Sequence, residues 1–191
     1  MSVKYYKYTN PDGTPCNGGT GQWSLPKDGN PGEWMPSVKV DPCNSGYHLC
    51  KAKDLLEWSG PALWVVEGRG KSVRSENKTV FPEARLIKPL LWDDRIARHF
   101  ACDCAERVLK IIEKENPNEK RPAECIRVSR LYADGKADDA AWAAARDAAW
   151  DAAYAAASYA AARDAERKWQ IKRLLAYATG KIKLPKLEVR P

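Results

Sequence analysis

The pattern of apolar and polar residues changes near Leu91. Before that residue, short apolar segments alternate with glycine and proline, which is typical of strands joined by turns. Three segments predict strands: 3–8, 62–67 and 79–88. The Gly68–Gly70 segment predicts the end of the second strand, and Pro82 places the start of the third at a sheet edge or a bulge. Residues 52–58 predict two helical turns, so residues 1–91 are expected to form a small antiparallel α+β unit.

After Leu91 the apolar residues recur every three or four positions, which is the period of a helix. A first helix is predicted over residues 93–115, with an aspartate as its N-cap and Asn116-Pro117 at its end. Pro122 in a first turn and Gly135 at a C-cap predict a second helix between them. The face of the first helix that is expected to pack inward consists of Ile96, Phe100, Cys104, Val108 and Ile111.

Alanine dominates the third helical segment, predicted over residues 138–179. Seventeen of the 29 residues from 137 to 165 are alanine, which has the highest helix propensity of all residues. One half of this helix carries only alanine and allows a neighbouring helix to approach closely. The other half carries Trp, Tyr, Arg and Asp. It either packs on the N-terminal unit or forms a partner surface, because Trp, Tyr and Arg dominate binding energy in interfaces. The candidate partner contacts are Trp142, Arg146, Trp150 and Tyr154.

The fold class expected from these patterns is α+β. It comprises a small antiparallel sheet unit over residues 1–91, an alanine-rich helical bundle over residues 92–180 and a basic tail over residues 181–191. No stretch of eighteen apolar residues is present, so no membrane contact is expected. The start of the sequence resembles no secretory signal, so a cytoplasmic protein with six reduced cysteines is expected.

The net charge of +7 is concentrated at the C-terminal end. Residues 167–191 contain eight Lys or Arg and one Glu, whereas the preceding residues are balanced. Such a basic tail either binds phosphate or an acidic protein, or keeps the chain in solution. The candidate nucleic-acid contacts are Lys168, Lys172, Arg173, Lys181 and Lys183.

Residues with metal-binding or catalytic side chains are few. The groups that could hold zinc are Cys16, Cys43, His48 and Cys50, but the usual C-x2-C pair is absent. The alternative is that these are small buried thiols that fill space. Cys102 and Cys104 lie about 200° apart on a helix and therefore cannot share a metal ion. The glycine-rich segment 18–21 opens no helix, and His99 is expected on a helix surface without an acidic partner. No catalytic residue, cofactor or metal is assigned.

Several motifs resemble those of phage and prophage proteins that have no assigned role. In the C-terminal half these are residues 95–109 (RIARHFACDCAERVL), 120–122, the alanine repeat, 166–170 and 173–175. This half, over residues 92–180, is similar to a helical domain of an immunity-protein type. The N-terminal half resembles a second phage domain through Asp12-Gly13, Gly18-Gly19, Trp23, Trp34 and residues 43–49. The resemblance implies a protein that binds and neutralises a protein of the host or of a competitor, in the cytosol of the host cell.

Two other functions stay open at this point. The Gly46-Tyr47-His48 turn before a strand, with Glu67 on the next strand, resembles ADP-ribosyltransferase-like folds and would imply NAD or nucleotide chemistry. The basic tail would alternatively imply an accessory protein that binds nucleic acid with steep salt dependence. Our preferred hypothesis is the non-enzymatic inhibitor, because the sequence contains no recognisable catalytic motif.

Overall fold

The computed structural model describes residues 4–115, 117–141, 143 and 163–187. The chain divides into two compact units, Met1–Trp92 and Asp93–Pro191. An antiparallel sheet in the first unit and helices in the second confirm the predicted α+β class. Within the described ranges, no helix has both the length and the apolar composition needed to cross a membrane.

Six strands form the sheet of the first unit. They are β1 (Tyr5–Thr9), β2 (Tyr47–Lys51), β3 (Ala62–Arg69), β4 (Val73–Arg74), β5 (Thr79–Phe81) and β6 (Glu83–Pro89). Their order in the sheet is β4-β5-β2-β1-β3-β6, and every neighbouring pair is antiparallel. The predicted helical turns after β2 are a 3-10 helix over Ala52–Glu57. The single strand predicted over residues 79–88 is two strands separated at Pro82, where the sequence predicts an edge or a bulge.

β3 ends at Arg69, inside the Gly68–Gly70 segment that predicts its end, and is two residues longer than the predicted 62–67. A Cβ atom at Gly68 would lie 2.4 Å from the ring of Phe81, well inside van der Waals contact. Glycine is therefore required here by the close packing of an aromatic ring on the backbone, and it does not terminate the strand.

Buried side chains lie on both faces of the sheet, and one apolar cluster is well defined. Its buried members are Trp23, Leu49, Trp64, Val66, Phe81, Ala84 and Leu86. The segment after the glycine-rich loop runs along the outer edge of β6. The N–H groups of Gly32 and Met35 each donate to a β6 carbonyl at 2.8 Å. This pairing covers an otherwise open sheet edge and fixes the loop that carries Trp23.

Three described helices form the second unit: α1 (Asp94–Glu115), α2 (Arg121–Ala133) and α3 (Arg163–Ala178). Asp93 caps α1, because its Oδ1 accepts the N–H of Ile96 at 2.8 Å. Gly135 ends α2 in the left-handed conformation, with φ of 66°. Both capping predictions are confirmed. The predicted third segment, residues 138–179, includes α3, and its residues 142 and 144–162 lie outside the described ranges.

The inward face of α1 differs from the predicted one. The buried side chains of α1 are His99, Cys102 and Asp103. Ile96, Phe100 and Cys104 are only partly buried, and the side chains of Val108 and Ile111 lie outside the described part. The buried face of α1 therefore includes a carboxylate and an imidazole, which apolar periodicity does not reveal.

Candidate functional site

A cavity of about 790 Å³ lies in the N-terminal unit. It is located where β1 and β2 separate: these strands pair only at Tyr5–Lys51 and Tyr6–Cys50. In contrast, β1 pairs with β3 along its whole length. Lys7 and Tyr8 line one side of the opening, and Tyr47–Cys50 lines the other. The glycine-rich segment 18–21 also lines it. We call this space the β1–β2 cavity.

Lys7 is the most unusual residue of the β1–β2 cavity. Its Nζ donates to the backbone carbonyl of His48 at 3.2 Å and lies 5.1 Å from the ring centroid of Trp23. Burial lowers the pKa of Lys7. An ammonium has three N–H donors, and among the described residues this one has a single hydrogen-bond acceptor. Lys7 therefore places a partly dehydrated cation with unused donors at the cavity.

One ring nitrogen of His48 also lacks a partner. Its Nε2 is buried and has no hydrogen bond within the described part of the chain. Leaving such an atom unpaired costs about 1–3 kcal/mol, so it requires an explanation. Burial and the positive charges of Lys78 and Lys7 lower the pKa of His48, and a hydrogen bond to Gly46 opposes them. The ring is therefore neutral near pH 7, and its Nε2 is a buried acceptor without a partner in the described residues.

The thiols near the cavity do not form a reactive or metal-binding centre. Burial raises the pKa of Cys50 to about 12 and also raises the pKa of Cys16. Both sulfurs are therefore protonated at neutral pH and are poor nucleophiles. The exposed Cys43 lies 3.5 Å from the ammonium of Lys78. Among the described residues, no three His, Cys, Asp or Glu side chains are grouped so that they could hold a metal ion.

The geometry does not bring His48 and Glu67 into one site. Glu67 is about half exposed, and its Oε2 accepts two hydrogen bonds from the guanidinium of Arg85, at 2.9 and 3.0 Å. The same guanidinium lies 4.5 Å from the ring centroid of Trp34. Glu67 is not among the residues that line the β1–β2 cavity. The ADP-ribosyl transfer suggested by this pair therefore has no geometric support.

A cluster of charged residues organises the C-terminal unit around Asp103. One carboxylate oxygen accepts from Arg130 of α2 at 2.7 Å. The other accepts from Arg173 at 2.6 Å and from the hydroxyl of Tyr177 at 2.7 Å, both in α3. Only 5% of Asp103 is exposed. A single buried carboxylate thus connects all three described helices, and we call these four residues the Asp103 cluster.

His99 extends this network and corrects the expectation of a surface histidine. The residue is buried, and its Nε2 lies 2.9 Å from Oδ1 of Asp134, just beyond the end of α2. The same oxygen accepts from Arg95 at 2.8 Å. Arg95 also donates to the carbonyl of Pro185 at 2.7 Å, which fastens the chain after α3. The acid partner of His99 lies 35 residues away in the sequence, so local spacing could not reveal it.

Burial and hydrogen bonding act oppositely on the pKa of Asp103. Burial alone would raise this pKa, but the hydrogen bonds from Arg130, Arg173 and Tyr177 outweigh burial and hold it below its ordinary value. The tyrosine remains a donor because burial and this carboxylate raise the pKa of Tyr177 to about 12. Cys102 and Cys104 flank Asp103 in the sequence. The Cys102 thiol donates to the Ile126 carbonyl at 3.8 Å.

Residues 93–161 match the family model described as "Imm-5 like putative immunity protein". The match begins with Asp93, the cap of α1, and includes the whole of α1 and α2. It supports an immunity-like domain in the C-terminal unit. Neither a curated protein nor a solved structure matches the chain.

The candidate partner contacts of this immunity-like segment are Trp142, Arg146, Trp150 and Tyr154, and all four lie outside the described residues. The candidate nucleic-acid contacts differ in their exposure and in their partners. Lys168, Lys172, Lys181 and Lys183 are exposed, whereas Arg173 donates to Asp103. Arg173 therefore has a structural partner inside the unit, and its charge is largely compensated.

Acid should weaken the C-terminal unit at a pH below about 4. Because the pKa of Asp103 is lower in the folded than in the unfolded chain, its contribution is complete above the unfolded value of about 3.9. That contribution is lost as the pH falls through the folded pKa. We expect the free energy of unfolding, measured by helical circular dichroism in urea, to fall in this range. The Asp103→Asn variant should show a smaller fall, and an equal fall would contradict the assignment.

Proposed function

We propose that the protein is a non-enzymatic binding protein that neutralises another protein by direct contact through its C-terminal unit. The observation that carries this proposal is the match of residues 93–161 to an immunity-protein family. The proposed target is a toxin or a defence component of a bacterial host or of a competitor. If the chain is encoded by a phage, it would act in the cytosol of the host cell.

The Asp103 cluster supports this proposal because it provides a rigid frame. Hydrogen bonds from Arg130 and Arg173 fix α2 and α3 to α1. The candidate contacts Trp142 to Tyr154 lie in the sequence between α2 and α3. The described helices on both sides of this sequence segment are thus held against α1.

Replacing Arg146 and Trp150 together by alanine should weaken partner binding by about 2 kcal/mol, or about 30-fold in Kd, if both are interface hot spots. The partner is first identified by mass spectrometry after capture on the tagged full chain from producing cells. It is then purified and titrated calorimetrically with the wild type and the double variant. Lys136→Ala, which removes an exposed charge before the segment, is the matched control.

Three results would count against this proposal. Unchanged affinity of the double variant, with unchanged circular dichroism, would exclude Arg146 and Trp150 from the interface. If no protein is enriched in a stoichiometric complex, the inhibitor function itself is wrong. Binding to nucleic acid that weakens steeply with salt, and that is lost in a Lys168→Ala, Lys172→Ala variant, would favour the accessory role instead.

A further inference from the structure

The residues that line the β1–β2 cavity have a uniform charge character. Its ionisable side chains include Lys7 and Lys78, and no Asp or Glu is among its lining residues, all of which belong to the described part. Both lysines lie close enough to His48 to depress its pKa by their charge. Cys16 and Cys50 are protonated thiols and supply no counter-charge. The cavity is therefore electropositive, and an anion would compensate it.

Aromatic side chains provide the second property of the cavity. Trp23, Tyr47 and Trp58 line it together with Tyr6 and Tyr8. The rings of Trp23 and Tyr47 meet edge to face, with centroids 5.4 Å apart. Trp23, Tyr6 and Tyr8 are buried, whereas the partly exposed rings of Tyr47 and Trp58 offer apolar surface to a planar ring. The volume of about 790 Å³ falls in the range of about 300–1,000 Å³ that is typical of small-molecule sites.

The third property of the cavity is that it contains polar atoms without hydrogen-bond partners and free space beside the glycine-rich segment. The buried Nε2 of His48 has no partner in the described residues, and Lys7 Nζ has unused donors. The glycines of segment 18–21 add room on the opposite wall. A Cβ atom at Gly18 or Gly19 would meet nothing within 4 Å. A ligand could therefore approach the backbone of this loop closely.

We propose that the β1–β2 cavity binds a small phosphorylated molecule with an aromatic ring, of the size and chemistry of a nucleoside monophosphate. The phosphate is held by the ammonium groups of Lys7 and Lys78, which bind phosphate as point charges. The imidazole of His48 accepts a hydrogen bond from a hydroxyl or amino group of the ligand, and the aromatic ring of the ligand packs on Tyr47 and Trp58. This site lies in the N-terminal unit and is separate from the proposed immunity surface.

Calorimetric titration of the full chain with adenosine 5′-monophosphate tests this site. The proposal predicts saturable binding of one equivalent. Adenosine, which lacks the phosphate, and inorganic phosphate, which lacks the ring, should each bind at least tenfold more weakly. Lys7→Met should lower the affinity for the nucleotide at least tenfold, and Lys78→Met should lower it by a similar factor. Lys27→Met, which removes an exposed lysine outside the cavity, is the matched control and should bind as the wild type does.

Several results would overturn the proposal. Absence of binding of adenosine 5′-monophosphate at millimolar concentration would reject the nucleotide class. Equal affinity for inorganic phosphate would reject the aromatic part, and equal affinity for adenosine would reject the phosphate part. If Lys7→Met does not fold, Lys78→Met alone decides, because that side chain is only partly buried. Failure of this test would leave protein binding by the C-terminal unit intact, so the two proposals are judged separately.

Discussion

Replacing Asp103 by asparagine should destabilise the C-terminal unit by about 3 kcal/mol. Asparagine keeps the shape of the side chain but removes the charge that compensates Arg130 and Arg173. Breaking a buried ion pair by removing one partner costs about 3–5 kcal/mol. The lower end applies because the side chains of Arg130 and Arg173 are 28% and 37% exposed and can be partly solvated. Urea unfolding followed by helical circular dichroism measures the change.

A matched control separates this effect from a general loss of acidic charge. Asp164→Asn makes the same chemical change at an exposed position in the first turn of α3. It should cost less than about 1 kcal/mol, as expected for a surface charge near a helix terminus. Equal destabilisation by the two substitutions would show that the Asp103 cluster does not hold the three helices together.

Replacing Gly68 by alanine should destabilise the N-terminal unit by about 3 kcal/mol, at the upper end of overpacking effects. The added methyl group would overlap several ring atoms of Phe81, and both residues belong to paired or buried strands that cannot easily shift. Tryptophan fluorescence during urea unfolding reports on this unit, because Trp23 and Trp64 lie in its core.

The cause of this effect can be tested by making room for the methyl group. In the Gly68→Ala, Phe81→Leu double variant, a smaller side chain faces the new Cβ. The double variant should be less destabilised than the sum of the two single variants, which gives a favourable coupling energy. Strict additivity would contradict the packing argument.

Local sequence signals predict α1, α2 and the strands β1, β3, β5 and β6, with β5 and β6 predicted as one strand. Asp93, Pro122 and Gly135 act within a few residues of their own positions, so the helix boundaries that they indicate are found in the structure. Gly68, interpreted locally, places the end of β3 too early. Its role depends on Phe81, which lies thirteen residues later and packs across the backbone, and a local interpretation takes the glycine as a strand end.

The two candidate sites depend on contacts that no local pattern contains. Asp103 has partners up to 74 residues away, and Lys7 donates to a carbonyl 41 residues away. Lys7 lies in a strand of tyrosines, a pattern that predicts a solvent-exposed lysine side chain. No residue near Lys7 in the sequence indicates that β1 separates from β2 at this point. The glycine content of segment 18–21 singles it out in the sequence. Only the folded chain shows that this segment lines the same cavity as Lys7 and His48.

The connections of Asp103 also set the order in which the chain can fold during synthesis. All six strands of the N-terminal unit lie before residue 90, so this unit can form while the rest is still being translated. Asp103 obtains its last two donors only when Arg173 and Tyr177 have left the ribosome. Until then the nascent helices carry a carboxylate without its full set of donors, and the helical unit completes its fold only after residue 177 has emerged. Ribosome stalling or premature termination before residue 173 would therefore yield a folded sheet attached to incompletely assembled helices.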